Sequence, residues 1–260
     1  MSPVAYLRVV GVLARRALKQ AGRRPQFLAP IVVFPTLLLA VNTGGAGKAV
    51  DIPGFPHVHG FLDFELAGAM LQSTMLAGVS GGIALALDIE MGFIDRLVAA
   101  PISRSAIVIG RLAGSATLGV ISAVWFLAIG LIFGAHIEGG VAGALLIVVL
   151  VPLASFAFSG IAAAIALKSG KASVVQGIFP LVFVVIFFSS AFFPRELLLQ
   201  PAHTIADWNP LSLIAEGVRS QVVSGVSGTA FLKGLGGVAI VGGLGAVLSA
   251  LALRSRLRTG

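Results

Sequence analysis

The sequence predicts an all-α polytopic membrane protein with about six transmembrane helices, and three observations predict it. Of its 260 residues, 57% are hydrophobic and only 11% are charged, whereas a soluble domain carries about 25% charged residues. The mean hydropathy is +1.03. The apolar residues come in blocks of roughly 17–25, the length that crosses a bilayer as a helix. Hydrocarbon offers no water to backbone groups, so such blocks must be helices or a closed barrel, and continuous runs without period-two alternation favour helices.

The first element is an amphipathic helix from Pro3 to Arg24, within a segment 1–26 expected at the membrane interface. Arg8, Arg15, Arg16, Lys19 and Arg23 fall within an arc of about 100°. Tyr6, Leu7, Val10, Leu13, Ala14, Ala17 and Leu18 take the opposite side. A basic face with an apolar back suits a helix lying on anionic lipid head groups. The first long apolar block begins only near Phe27, with no small-residue cleavage pattern after it, so a removable signal peptide is not expected.

Six spans follow within 27–253: Phe27–Asn42, Leu66–Leu87, Ala106–Phe133, Val141–Leu167, Ser173–Phe193 and Ala230–Leu253. Pro30 and Pro35 should kink the first, and Pro152 and Pro180 bend the fourth and fifth. Gly110/Gly114, Gly130/Gly134 and the glycines at 236, 237, 242, 243 and 245 predict close helix–helix approach. Two connections stand out. The segment 88–105 is short and charged and reads as helical until Pro101. The segment 194–229 is long and half apolar, too short in each stretch to cross, and reads as re-entrant or interfacial.

Charge sets the expected orientation. With both termini cytoplasmic, 14 of the 18 Lys and Arg residues lie inside, including the basic tail 254–260; Lys48, Arg195, Arg219 and Lys233 lie outside. That asymmetry predicts N-in/C-in topology, with His57, His59, His136 and His203 external. The net charge of +8 is explained by these flanks and not by nucleic acid, which is not an expected partner.

Catalytic chemistry is not expected. Gly44-Gly45-Ala46-Gly47-Lys48-Ala49 lacks the glycine spacing and the Ser/Thr of a phosphate-binding loop. Gly78-Val79-Ser80-Gly81-Gly82 has the form G-x-S-x-G, but no histidine lies in any span to activate Ser80, so helix packing is the expected role. His57 and His59 with Asp51, Asp63 and Glu65 carry ligand-type side chains in no recognised spacing, and no metal is expected. The absence of cysteine removes thiolate sites. The spans hold almost no charge, Arg111 and Lys233 lying near span ends, so ion-coupled transport lacks visible coupling groups.

The segment from Glu90 reads Glu-Met-Gly-Phe-Ile-Asp-Arg-Leu-Val-Ala-Ala-Pro-Ile-Ser-Arg, ending at Arg104, with Gly110-Arg111 beyond. It resembles the connection after the second span in membrane subunits of type-2 ATP-binding-cassette (ABC) exporters. Glu90, Gly92, Leu97, Pro101, Ser103 and Arg104 match; Phe93 replaces a threonine, Asp95 a glutamate and Arg111 a lysine. Ser190-Ala191-Phe192-Phe193-Pro194 is similar to the family's fifth-span ending, and Asn209-Pro210-Leu211 with Glu216 and Arg219 to its re-entrant stretch. The resemblance covers nearly the whole chain.

That resemblance implies a permease subunit of the prokaryotic inner membrane, pairing with a second permease subunit (a homodimer or homologous heterodimer) and with a separate ABC ATPase. No cofactor is expected on this chain; ATP and Mg would be held by the ATPase. The coupling contact would fall on Glu90, Gly92, Ile94, Asp95, Arg96, Leu97, Pro101 and Arg104. Asn209, Pro210, Glu216 and Arg219 would form an external gate, Glu216 and Arg219 sharing one helix face as a possible ion pair. The cargo would be lipophilic: a drug, a lipid or a lipid-linked glycan. A secondary carrier or channel not coupled to ATP is the alternative; an intramembrane hydrolase is a more distant one, and a purely scaffolding subunit of a larger complex is harder to exclude from sequence.

Overall fold

In the computed structural model, residues 3–23, 25–94 and 104–259 are described. Helix α1 spans Pro3–Arg23 and α2 spans Pro25–Ala46, followed by a 3-10 turn, Gly47–Asp51. Next come α3 (Phe61–Glu90), α4 (Arg104–Ile132) and α5 (Gly140–Ser169). The short helices α6 (Ala172–Gln176), α7 (Phe179–Phe187), α8 (Ala202–Trp208) and α9 (Pro210–Val223) precede α10 (Gly228–Thr259). Among the described residues, five helices are long and apolar enough to cross a membrane: α2, α3, α4, α5 and α10.

Helix α3 is the axis of the bundle, buried along nearly its whole length. A helix apolar on all sides must be covered on all sides, and its glycines allow it. A Cβ on Gly78 would lie 2.6 Å from Phe158 Cβ, and one on Gly82 would lie 2.5 Å from Ala162 Cβ. The G-x-S-x-G string is therefore a groove in which α5 sits. Gly160 and Gly245 bring α5 and α10 together in the same way, and Ser249 Oγ donates to Gly160 O at 2.6 Å. Between α2, α3 and α4, Ser122 Oγ donates to Ser73 Oγ, which donates to Ile31 O, each at 2.6 Å.

The outer helices show the opposite pattern. Val33, Phe34, Leu37 and Val41 on α2 are exposed, as are Ile240, Leu244, Val247 and Leu251 on α10. Apolar surface of this extent fits lipid as its solvent.

The predicted span Ser173–Phe193 is reshaped. Its apolar helical part covers Ala172–Phe187, about 24 Å at 1.5 Å per residue, short of a hydrocarbon core of about 30 Å. It is also broken at Gly177 and Ile178. Pro180 does not bend a continuous helix there. It sits in the first turn of α7, where a missing N–H leaves no hydrogen bond unmade. Pro152, by contrast, lies inside the uninterrupted α5.

Contacts assign the helix ends to two sides. Arg16, Asp88, Glu90, Arg111, Ala172 and Arg256 gather at one end, called the basic end. Asn42, Asp63, Glu65, His136 and Val222 meet at the far end. Helix α9 runs antiparallel to the first half of α10, with Gly217 against Gly234 and Pro210 against Gly237. The chain thus descends beside the bundle before α9 climbs back to the far end.

Candidate functional site

At the basic end, α3 terminates in Asp88-Ile89-Glu90. Asp88 is 2% exposed and lies between two guanidinium groups: Arg111 Nη2 at 3.1 Å and Arg16 Nη2 at 3.7 Å. Arg111 also donates to Ala84 O at 2.8 Å. Arg16 stacks over the Phe93 ring, 3.5 Å from its centroid, a favourable cation–π position. Beneath the pair, Leu13 and Val10 of α1 rest on Gly110 of α4, where any Cβ would be 2.7 Å from Leu13 Cβ. The amphipathic helix is therefore fastened to α3 and α4 through both its charge and its apolar back.

This refines the basic face. Arg8, Arg15 and Lys19 are exposed, but Arg16 turns inward to Asp88; Arg23 closes α1. Asp88 itself was not among the expected site residues. Its signal was Arg111: an arginine at the end of an apolar helix needs a counter-charge, and Asp88 offers it at the same depth of the antiparallel neighbour.

Glu90 lies one residue before the turn. Its Oε1 accepts the backbone N–H of Ala172 at 2.8 Å, satisfying a donor that the start of α6 leaves open. Gly92 follows with φ +64, a left-handed conformation that glycine adopts without Cβ strain. Ile94 is buried, in a small crevice with Leu13, Phe93 and Ile107. Asp95, Arg96, Leu97 and Pro101 lie outside the described residues, and Arg104 opens α4. The described part of the predicted segment thus meets α1, α4 and α6 at one place.

At the start of α9, Asn209 is the cap: its Oδ1 accepts from Leu211 N at 3.0 Å. Its Nδ2 donates to Val185 O and Phe188 O at 3.1 and 3.0 Å, closing the end of α7. Pro210 takes the first helical position. Arg219, 9% exposed, donates to Ala191 O at 2.6 Å and to Phe64 O at 3.4 Å, with its guanidinium 3.8 Å above the Phe64 ring. Burial lowers the Arg219 guanidinium to about 10, countered by nearby Glu216 and Glu65, so it stays charged at neutral pH.

The expected Glu216–Arg219 pair does not form. Glu216 instead pairs with Arg195 Nε at 2.5 Å and accepts Ser190 Oγ at 3.0 Å. Arg195 also reaches Asp207 at 3.2 Å. Helical spacing put Glu216 and Arg219 on neighbouring rows, but Arg219 turns into the bundle toward the Ala191 and Phe64 carbonyls, while Glu216 faces the loop. Sequence reading missed Arg195 because only its partner across the loop gives it a role.

Also at the far end, a cavity of about 570 Å³ opens between α2, α3 and α4, lined largely by apolar groups including Leu39, Phe61, Leu62, Ile129 and Phe133. Beside it Asn42 Nδ2 donates to the buried Glu65 at 2.6 Å.

A family model described as ABC-2 type transporter matches residues 8–223. Over 217 residues the chain is 28% identical to the daunorubicin resistance ABC transporter permease protein DrrB1 of Streptomyces coeruleorubidus, covering 82% of this chain and 74% of the relative. Over 212 residues it is 26% identical to a protein named as a transport permease, ycf38, of Porphyra purpurea, covering 81% of this chain and 72% of that one.

Proposed function

The chain belongs to the ABC-2 type transporter family, and from that premise we propose that it exports a small lipophilic compound under the drive of a separate ATPase that docks at the basic end. It is an integral membrane permease, a transport subunit. The basic end is read as cytoplasmic because it collects Arg8, Arg15, Lys19, Lys168, Lys171 and Arg254, as the excess of basic residues on the inner side requires. Two such subunits, either identical or homologous, surround the path.

The observation that carries this reading is the meeting of three elements around Asp88 and Glu90. Asp88 binds α1 and α4, Glu90 binds the start of α6, and both stand on α3, the buried axis. A displacement of the segment after Glu90 therefore acts on α3 and on the broken helix pair at once. ATP binding shifts the equilibrium because the ATPase grips this segment differently in its two states. Residues Asp95, Arg96, Leu97 and Pro101 supply the contact itself, Asn209, Pro210, Glu216 and Arg219 form the outer gate, and nucleotide and Mg remain on the ATPase.

The apolar cavity between α2, α3 and α4 supports a lipophilic cargo of drug size over a polymer, since pockets of roughly 300–1,000 Å³ suit small molecules. The relative's named role in daunorubicin resistance makes an anthracycline the first probe. Reconstituted with its ATPase in proteoliposomes, the chain should move daunorubicin only with ATP. Charge reversal of Glu90 and Arg104 together should leave the ATPase running while abolishing that movement. ATP-driven transport that survives the reversal would overturn the docking assignment.

A further inference from the structure

The far end brings together three ligand-type side chains from two distant stretches of chain. His59 precedes α3, Asp63 lies in its first turn, and His136 comes from the turn between α4 and α5. One ligand atom from each lies within 4.8 Å of the others. We propose that His59, Asp63 and His136 bind a divalent transition-metal ion of the zinc class.

Five features support the assignment. Two imidazoles and a carboxylate are a donor set that zinc and its neighbours prefer over magnesium or calcium. Asp63 is only 3% exposed, and its Oδ1 accepts the His136 backbone N–H at 3.0 Å. That bond holds the carboxylate against the second histidine and leaves Oδ2 for the ion, the outer-shell arrangement expected of a metal ligand. The two rings already face each other, with centroids 4.6 Å apart and planes tilted by 32°. Glu138 Oε1 stands 3.6 Å from His59 Nδ1, so two carboxylates balance the double charge of the ion. The cluster borders a cavity of about 490 Å³, which gives the ion access and room for a water ligand.

The turn carrying His136 is not loose. Glu138 N–H donates to Val222 O at 2.8 Å and Gly139 N–H to Gln221 O at 3.0 Å, joining it to the end of α9. An ion on the three ligands would therefore fasten the start of α3 to the α4–α5 turn and, through it, to α9. This holds whichever way cargo moves.

The test uses the full chain purified in detergent with an affinity tag free of histidine and stripped by a chelator. Titration calorimetry with zinc should give one ion per chain, with micromolar or tighter affinity and no response to magnesium. Zinc should also raise the unfolding temperature, since an ion that binds only the folded chain stabilises it. His59→Ala and His136→Ala should each weaken binding at least about tenfold. Cobalt in place of zinc should give visible d–d absorption that the double variant loses. His57→Ala is the control: its ring lines the cavity but lies outside the cluster, and binding should persist. Absence of zinc binding would overturn the site, as would a double variant that binds and is stabilised like the wild type. Equal loss in His57→Ala would overturn it too, by showing diffuse chelation.

Discussion

Glu90 Oε1 accepts the backbone N–H of Ala172 at 2.8 Å, so the last residue of α3 caps the first residue of α6 across 82 positions of sequence. Glu90→Ala removes the acceptor, and a lost hydrogen bond of this kind costs about 1 kcal/mol. Glu90→Gln keeps an acceptor oxygen and should cost less. In proteoliposomes with the ATPase, Glu90→Ala should raise the ATP consumed per molecule moved. Thermal unfolding in detergent measures the first effect, and paired hydrolysis and transport assays the second. Unchanged stoichiometry in Glu90→Ala would sever α6 from the drive.

The guanidiniums around Asp88 are unequal. Arg111→Met removes the buried partner at 3.1 Å and the bond to Ala84 O, leaving a nearly inaccessible carboxylate poorly balanced; such losses cost about 3 kcal/mol or more. Arg16 is a third exposed and more distant, so Arg16→Met should cost about 1 kcal/mol or less. Unfolding curves in one detergent should rank Arg111→Met well below Arg16→Met. The reverse order would mean that α1 and not α4 holds the carboxylate.

Arg219 and Glu216 should respond unequally. Arg219→Gln deprives Ala191 O of a charged donor inside the bundle, at a cost of about 2–3 kcal/mol, and Arg219→Lys should not restore it because the planar fork is lost. Glu216→Gln loosens only the partly exposed contact with Arg195, with an effect of about 1 kcal/mol or less. A double-mutant cycle should give a coupling of about 1 kcal/mol or less, that of two neighbouring charges without a direct bond. Strong coupling would restore the direct pair expected from their spacing.

Glycines that look alike in sequence should differ sharply. Gly82→Ala places a methyl 2.5 Å from Ala162 Cβ and 2.8 Å from Ala162 carbonyl carbon, so the two backbones must separate at about 1–3 kcal/mol. Gly243 of α10 has nothing within 4 Å, and Gly243→Ala should be neutral or stabilising by up to about 1 kcal/mol. Melting temperatures of the two variants decide the matter directly.

Much of this was legible in the sequence. Blocks of apolar residues are a local property, and the long helices coincide with them to within a few residues. Glu90, Gly92, Asn209 and Pro210 stood out because each belongs to a motif made of residues close together in the chain. The apolar block of the fifth segment was legible but its break was not, because hydropathy counts apolar residues and not continuity: Gly177 and Pro180 leave the composition intact while dividing the helix. Asp88, Arg195 and the His59–His136 pair were missed for a different reason. Their roles come from partners 23, 21 and 77 positions away, and one-dimensional spacing carries no such pairing.

Arg219 and Asn209 direct their side chains to main-chain carbonyls, those of Ala191, Phe64, Val185 and Phe188. A carbonyl is supplied by every amino acid. Among diverged relatives, the exposed receiving positions 185 and 188 are therefore free to change identity while Asn209 is held, whereas Phe64 and Ala191 are buried and Phe64 also lends Arg219 its ring. Tolerated variants should be sought at positions 185 and 188, where the exposed side chain is decoupled from the carbonyl that the architecture uses.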